Sequence, residues 1–232
     1  NEIINSDLFK FSPYKSLTTD QYTAIDFLLD DLSNDFSINN TFIVNGSAGT
    51  GKTVLAIFLI KLIKSFEKHR YILDDEQEIS YISKIQKILS QKSSIEIALV
   101  FPQTSLRKTL KEVFKKTDGL KSSMVIGPSG VVKKRYDILI VDEAHRLKRR
   151  VGITNFGSFD NTNKELGLDI DDGTELDWVL KSSTHQILFY DGEQSIRPSD
   201  VQKNRFEELH KNKNFHYYQL ESQLRCKGGN DY

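Results

Sequence analysis

The stretch Gly46-Ser47-Ala48-Gly49-Thr50-Gly51-Lys52-Thr53 decides the fold. Its spacing is G-x-x-x-x-G-K-[ST], the phosphate loop, in full. Each position has a chemical reason. The glycines let the backbone curl until successive N–H groups converge on phosphate oxygens. A helix starting where the loop ends brings its positive N-terminal pole to the same anion. Lys52 supplies a point charge for the β and γ phosphates of ATP, and the Thr53 hydroxyl is a ligand for Mg²⁺. The flanks agree with this reading. Thr41-Phe42-Ile43-Val44 is a short apolar run of strand type, while Leu55, Phe58, Leu59, Leu62, Ile63 and Phe66 recur at helical spacing on one face. A glycine-rich turn with no ligand is the bland alternative, and the strand–loop–helix context weighs against it.

Working outward, the next informative stretch is Asp137-Ile138-Leu139-Ile140-Val141-Asp142-Glu143-Ala144-His145, an apolar strand that ends in two acids. Asp142, at the strand's carboxyl end, is placed to hold the Mg²⁺ shell through water. Glu143 is placed to take a proton from an attacking water, which nucleotide binding alone does not need. Taken alone, a solvated strand end would explain both acids; together with the phosphate loop upstream they point to hydrolysis. His145 keeps two readings open, a relay to the next motif or a helix-start residue.

The remaining apolar runs, Ile97–Phe101, Met124–Ile126, Ile138–Val141, Ile187–Tyr190 and Phe215–Leu220, read as further strands. Leu106, Leu110, Val113 and Phe114 mark a helix between them. Strand alternating with helix predicts an α/β fold with a mostly parallel sheet and helices on both faces. Residues 67–94 look like an insertion with its own helix around Ile79–Leu89. Gly152–Gly173, rich in Gly, Asn and Asp, reads as a long surface loop.

The bulk composition sets outer limits. At 232 residues the chain accommodates one α/β domain, or one domain and the beginning of another. No apolar run is long enough to span a bilayer, so no membrane partner is expected and the cytoplasm is the expected compartment. A lone cysteine, Cys226, excludes an internal disulfide and a cysteine-based zinc cluster. The chain opens on Asn1 rather than Met, which makes it read as a piece of a longer protein. Formal net charge is zero but unevenly spread. Residues 101–150 carry 13 Lys/Arg against 5 Asp/Glu, and residues 151–181 carry 2 against 7. Two unrelated solvated surfaces would produce this split, and so would a phosphate-binding face beside an acidic mobile loop.

With these residues in view, the chain resembles the superfamily-one helicases, and more closely the Schlafen-group-3-like DNA/RNA helicase domains, from about Leu17 onward. Leu17-Thr18-Thr19-Asp20-Gln21 looks like the glutamine motif that recognises adenine in that class; a capped helix start is compatible with it. Val100-Phe101-Pro102-Gln103-Thr104-Ser105-Leu106-Arg107 sits where such helicases contact single-stranded nucleic acid. Leu188-Phe189-Tyr190-Asp191-Gly192-Glu193-Gln194 is similar to the motif whose glutamine senses the γ-phosphate, with Tyr190 in place of the usual glycine, and Ser195–Asp200 is typical of the Schlafen-like branch. Glu221-Ser222-Gln223-Leu224-Arg225 resembles the opening of a second motor domain, whose arginine stabilises transition-state charge. The resemblance implies a RecA-like ATP-binding motor domain over residues 1–220, the start of a second motor domain at 221–232, and single-stranded DNA or RNA as partner. With most of the second domain missing, hydrolysis by the chain alone is expected to be feeble. A nucleotide-dependent switch acting on a partner protein or an appended effector domain is the competing expectation. A degenerate binding module is disfavoured by the presence of Lys52, Thr53, Asp142 and Glu143, and a kinase by the Asp-Glu pair and Gln194.

Overall fold

A computed structural model describes residues 17–68, 76–194 and 196–221, with backbone alone for 76–80. Ser195, Arg225, Cys226 and all but the first residue of the 221–232 segment lie outside the described residues. In chain order the elements are α1 Thr19–Asn34, β1 Asn40–Gly46, α2 Lys52–Glu67, α3 Glu76–Gln91, β2 Ile97–Val100, α4 Thr104–Lys116 and β3 Val125–Ile126. There follow β4 Tyr136–Val141, α5 Phe156–Glu165, α6 Glu175–Ser182, β5 Ser183–Tyr190, α7 Lys203–Glu208 and β6 Phe215–Leu220. The strands form one six-stranded sheet in the order β3-β2-β4-β5-β1-β6. All its ladders are parallel.

Alternation along the strands creates two cores, because successive side chains leave a strand on opposite faces. Phe42 and Val44, Ile97 and Leu99, Ile138 and Ile140, Ile187 and Phe189 enter one buried cluster with apolar residues of α1, α2, α3 and α4. Ile43, Ala98 and Val100, Leu139 and Val141, Leu188 and Tyr190 enter the other, against Phe159, Trp178, Val179 and Phe206. Both faces are therefore covered, as a parallel sheet requires. α2 is buried on nearly every side, Ala56, Ile57 and Ile60 included, so the single apolar face read from its spacing understates its burial. No described helix is long and apolar enough to cross a membrane.

Two expectations need correction. Gly152–Gly173 is not a plain surface loop, because it contains α5, and Asn163 ties the segment down from inside. Buried Asn163 donates to the carbonyls of Ile170 and Gly173 at 3.0 and 3.2 Å and accepts from Trp178 Nε1. The polar composition that suggests a loop is in part this internal hydrogen bonding. The helix expected around Ile79–Leu89 is present as α3 and packs into the domain. Ile85 and Ile88 of α3 sit in the first core, and Lys84 bridges Asp26 and Asp30 of α1 at 2.6 and 2.7 Å. Leu106, read as part of the apolar face of α4, is 39% exposed.

β5 begins four residues before its apolar run because its polar residues are satisfied inside the sheet. Thr41 Oγ1 donates to Gln186 Oε1 at 2.8 Å, and Gln186 Nε2 donates to the Ser183 carbonyl at 3.1 Å. His185, fully buried, pairs with the Phe36 carbonyl through Nε2 at 3.0 Å and packs at a tilt against the Phe36 ring. Burial pushes its pKa down to about 4, against the raising effect of that carbonyl.

This histidine is neutral in the fold, and the unfolded chain takes up its proton first as pH falls. Its contribution to stability is thus present above the ordinary value near 6.5 and is lost as pH falls toward 4. Asp142 and Glu175, raised to about 6 and about 7, act in the opposite sense, so a difference measurement isolates the histidine. Between pH 7 and pH 5, the parent is expected to lose about 2 kcal/mol relative to His185→Gln in urea unfolding. Parallel pH profiles would show that His185 titrates alike in both states.

Candidate functional site

The loop between β1 and α2 is held in shape by its own side chains. Gly49 and Gly51 have φ of 93° and 80°, the left-handed region where a side chain is strained. A Cβ at Gly46 would meet Thr50 Oγ1 at 2.7 Å and Leu220 Cβ at 3.1 Å, so the first glycine is there for close approach to β6. Thr50 Oγ1 donates to the Ser47 carbonyl at 3.0 Å. Lys52, the first residue of α2, is only 6% exposed and curls back into the loop. Its Nζ donates to the Gly46 carbonyl and, at 2.9 Å, to that of Ser47, and lies 3.9 Å from Asp191 Oδ2.

Asp142 and Glu143 follow β4 directly, two strands from the loop. Asp142 is fully buried, and desolvation lifts its carboxyl to about 6 against the pull of the Thr53 hydroxyl and Lys52. Thr53 Oγ1 donates to Asp142 Oδ2, so a hydroxyl and a carboxylate oxygen stand side by side at the start of α2. Both are hard oxygen ligands of the kind that suits Mg²⁺, which fills its remaining positions with water and phosphate. No cluster of three or more His, Cys, Asp or Glu fit for a metal exists among the described residues. Such a cluster is not required by an ion held in that way.

Glu143 has φ 55° and ψ 46° and is, among the described residues, the only non-glycine at positive φ. The turn sends its side chain away from Asp142 and toward His145, whose Nε2 lies 2.9 Å from Glu143 Oε2. That hydrogen bond holds the Glu143 carboxyl below the usual range, outweighing burial. The same His145 nitrogen is 3.1 Å from Gln194 Oε1. Both neighbours are oxygens, and Gln194 is oriented by donating its Nε2 to Asp191 Oδ2 at 2.9 Å. The network therefore assigns the imidazole proton to Nε2. Gln194 Oε1 also accepts from Arg146 at 3.0 Å. Both features left open for His145 are present, since it lies in the short helical turn Ala144–Arg146 and touches Gln194.

β5 lies between the loop strand and the acidic strand, with Tyr190 paired to Asn45 of β1. The Asp191–Gln194 turn consequently opens onto the same rim as Lys52, Asp142 and Glu143. Tyr190, where the resembling motif has glycine, is accommodated between His145 and Phe206, at ring distances of 6.1 and 4.7 Å. Gln21 sits behind the loop, 1% exposed. Its Oε1 accepts from Thr18 N at 3.1 Å, closing a capping box, and its Nε2 donates to the Thr50 carbonyl at 2.8 Å. The amide thus braces the loop. Its neighbour Asp20 accepts from Tyr218 Oη at 3.1 Å and from Glu221 N at 2.8 Å. Burial and this carboxylate push Tyr218 up to about 12.

Two contributors lie outside the motifs read from the sequence. Asn45 links β6 to the Gln194 turn, donating to Gln219 Oε1 at 2.8 Å and accepting from Gly192 N at 3.1 Å. Arg146 grips Gln194; its place next to His145 is the one hint the sequence offers. The segment after β2 runs into α4, where Arg107 Nη2 donates to Thr104 Oγ1 at 2.7 Å. The strained turn is directly testable. Glu143→Gly is expected to unfold about 1 kcal/mol later than Glu143→Ala, since only glycine relaxes at positive φ. Equal urea midpoints would mean that this backbone is free to leave the left-handed region.

The comparisons with known proteins bear on the same residues. No curated protein matches. Among solved structures, the crystal structure of the DnaC helicase loader overlays with a TM-score of 0.40 at 12% identity, covering 92% of this chain and 98% of that one. A TM-score at that level carries no argument. A family model described as Schlafen group 3, DNA/RNA helicase domain, matches residues 39–232. That span takes in the phosphate loop, the acidic strand end and the Gln194 turn. The chain belongs to the Schlafen group 3 DNA/RNA helicase domain family.

Proposed function

We propose that this chain binds ATP with Mg²⁺ and hydrolyses it as the first motor domain of a DNA/RNA helicase or translocase. One observation carries the reading. An unbroken line of contacts runs from Lys52 through Asp191, Gln194 and His145 to Glu143, crossing the ends of three strands. Such a line lets the group that meets the γ-phosphate and the group that would activate water respond to each other. In this scheme phosphate oxygens replace the Gly46 and Ser47 carbonyls as acceptors from Lys52, and the backbone from Gly46 to Thr53 cradles the rest of the phosphate chain. Thr53 and Asp142 hold Mg²⁺, which when bound neutralises charge on the β and γ phosphates. Glu143 takes the proton from water, and Gln194 reports the γ-phosphate to the nucleic-acid side. Gln21 keeps the loop in register near the base, and Arg225 is the candidate for stabilising transition-state charge.

A second reading, a nucleotide-dependent switch acting on a protein partner, is favoured by one observation. Arg146 and Lys148 pair with Asp200, and Arg150 with Asp160 and Asp171. Much of the basic charge beside the site is thereby spent inside the chain.

Thermal shift and turnover assays separate these readings. Lys52→Ala is expected to abolish stabilisation by Mg²⁺–ATP; equal stabilisation of variant and parent would remove the loop from the mechanism. Glu143→Gln is expected to bind ATP but lose on the order of a hundredfold or more in turnover. Gln194→Ala is expected to keep ATP binding and lose stimulation by single-stranded nucleic acid. A parent ATPase indifferent to DNA and RNA, with Gln194→Ala identical to it, would replace the motor with the switch.

A further inference from the structure

We propose a second nucleic-acid contact on this domain, a basic groove at the sheet edge remote from the nucleotide loop, which grips the sugar–phosphate backbone. The groove encloses about 790 Å³ beside the edge strand β3. It is bounded by the end of α2, the beginnings of β2 and β4, and the turns on either side of β3. Lys64 lies twelve residues after Lys52, about 18 Å along α2 at the usual helical rise. β2 stands three strands from β1, about 14 Å across the sheet. The groove is therefore separate from the rim formed by Lys52, Asp142 and Gln194, and this inference does not rest on the motor reading.

Six lysines line it against two glutamates. Both acids are already engaged, Glu67 with Lys64 at 2.9 Å and Glu96 with Lys134. Lys68 reaches the Gly119 carbonyl at 3.4 Å. Lys111, Lys121 and Lys133 are exposed, and their ammonium groups make no hydrogen bond or ion pair with any described residue. Three ammonium groups thus face one concave surface with no internal counter-charge. Ser94, Ser123 and Ser129 add hydroxyl donors between them. Lysine cations interleaved with small hydroxyl donors suit a run of phosphates.

The walls argue against an acidic protein as the occupant. Protein interfaces take their affinity from apolar anchors seated in central pockets. Here the apolar lining residues Ile97, Ala98, Val125 and Tyr136 are buried and Met124 and Ile126 half-buried, so no exposed large apolar side chain stands in the lining as an anchor. The lining also offers no exposed aromatic ring on which a base could stack, so contact with the backbone rather than with bases is expected. This groove also divides the basic 101–150 segment. Its C-terminal part is neutralised by internal acids, whereas Lys111, Lys121 and Lys133 are left for an external polyanion.

The test is fluorescence anisotropy with a labelled short DNA duplex and the matching single strand, titrated at several salt concentrations. The triple substitution Lys111→Gln, Lys121→Gln, Lys133→Gln is expected to weaken binding on the order of tenfold or more at low salt. The slope of log affinity against log salt should fall by roughly 2–3, because each lost phosphate contact removes about 0.7–0.9. Thermal stabilisation by Mg²⁺–ATP should be unchanged in the variant, which separates failure of this groove from failure of the nucleotide site. If the triple variant does not fold, each single substitution carries the same test at about one third of the slope change. An unchanged affinity and slope, or a parent that binds neither probe, would overturn the proposal. Tighter binding of polyaspartate than of the duplex at matched charge would assign the groove to an acidic protein and overturn it equally.

Discussion

A buried ammonium group is stable only where oxygen atoms surround it, and the rim of this domain is organised around that requirement at Lys52. The lysine opens α2, so its position is set by the helix, yet its charge is turned into the loop that precedes it. Two oxygens come from Gly46 and Ser47, and the carboxylate of Asp191 stands 3.9 Å away. That carboxylate is in reach because β5 pairs with β1 rather than with a more distant strand. The same pairing brings Gln194 to the rim, and Gln194 in turn meets His145 and Arg146 from the strand beyond. The order β4-β5-β1 is thus what turns three separated motifs into one site.

Much of this was legible in the sequence because the relevant signals are local. The phosphate loop is a contiguous octet whose glycines are required by the backbone it adopts. The acidic strand end is equally local, since an apolar run followed by Asp142 and Glu143 admits few geometries. Strand alternation predicted two covered faces, and both exist. What escaped is what depends on partners distant in sequence. Asn45 is one asparagine among many until β5 and β6 flank it. Asn163 made its segment look like a loop because the donors and acceptors it satisfies are invisible without the fold. The polar start of β5 was hidden for the same reason, as Gln186 is acceptable in a buried strand only with Thr41 and Ser183 beside it.

Charge behaves similarly. A segment with 13 basic residues against 5 acidic ones suggests one surface. In the fold that surface is two. Arg146, Lys148 and Arg150 are internal cross-links that fasten the Glu143 turn to the segments carrying Asp160, Asp171 and Asp200. Lys111, Lys121 and Lys133 are not cross-links, because the sheet places them beyond the reach of those acids. Counting charges along a sequence cannot make this distinction; it is made by which strand is at the edge.

The first turn of α1 adds a mechanical consequence. Asp20 and Gln21 are consecutive, yet one grasps the backbone where the chain leaves β6 and the other grasps the carbonyl of Thr50 in the loop. A single helical turn is stiff, with its hydrogen bonds closed by the Thr18 capping box. It behaves as the short beam of a balance, with the loop on one pan and residue 221 on the other. No slack segment lies between the pans to absorb motion. A shift of the Thr50 carbonyl therefore has a short route to the exit of the last strand, through the Gln21 amide, one helical turn and the Asp20 carboxylate.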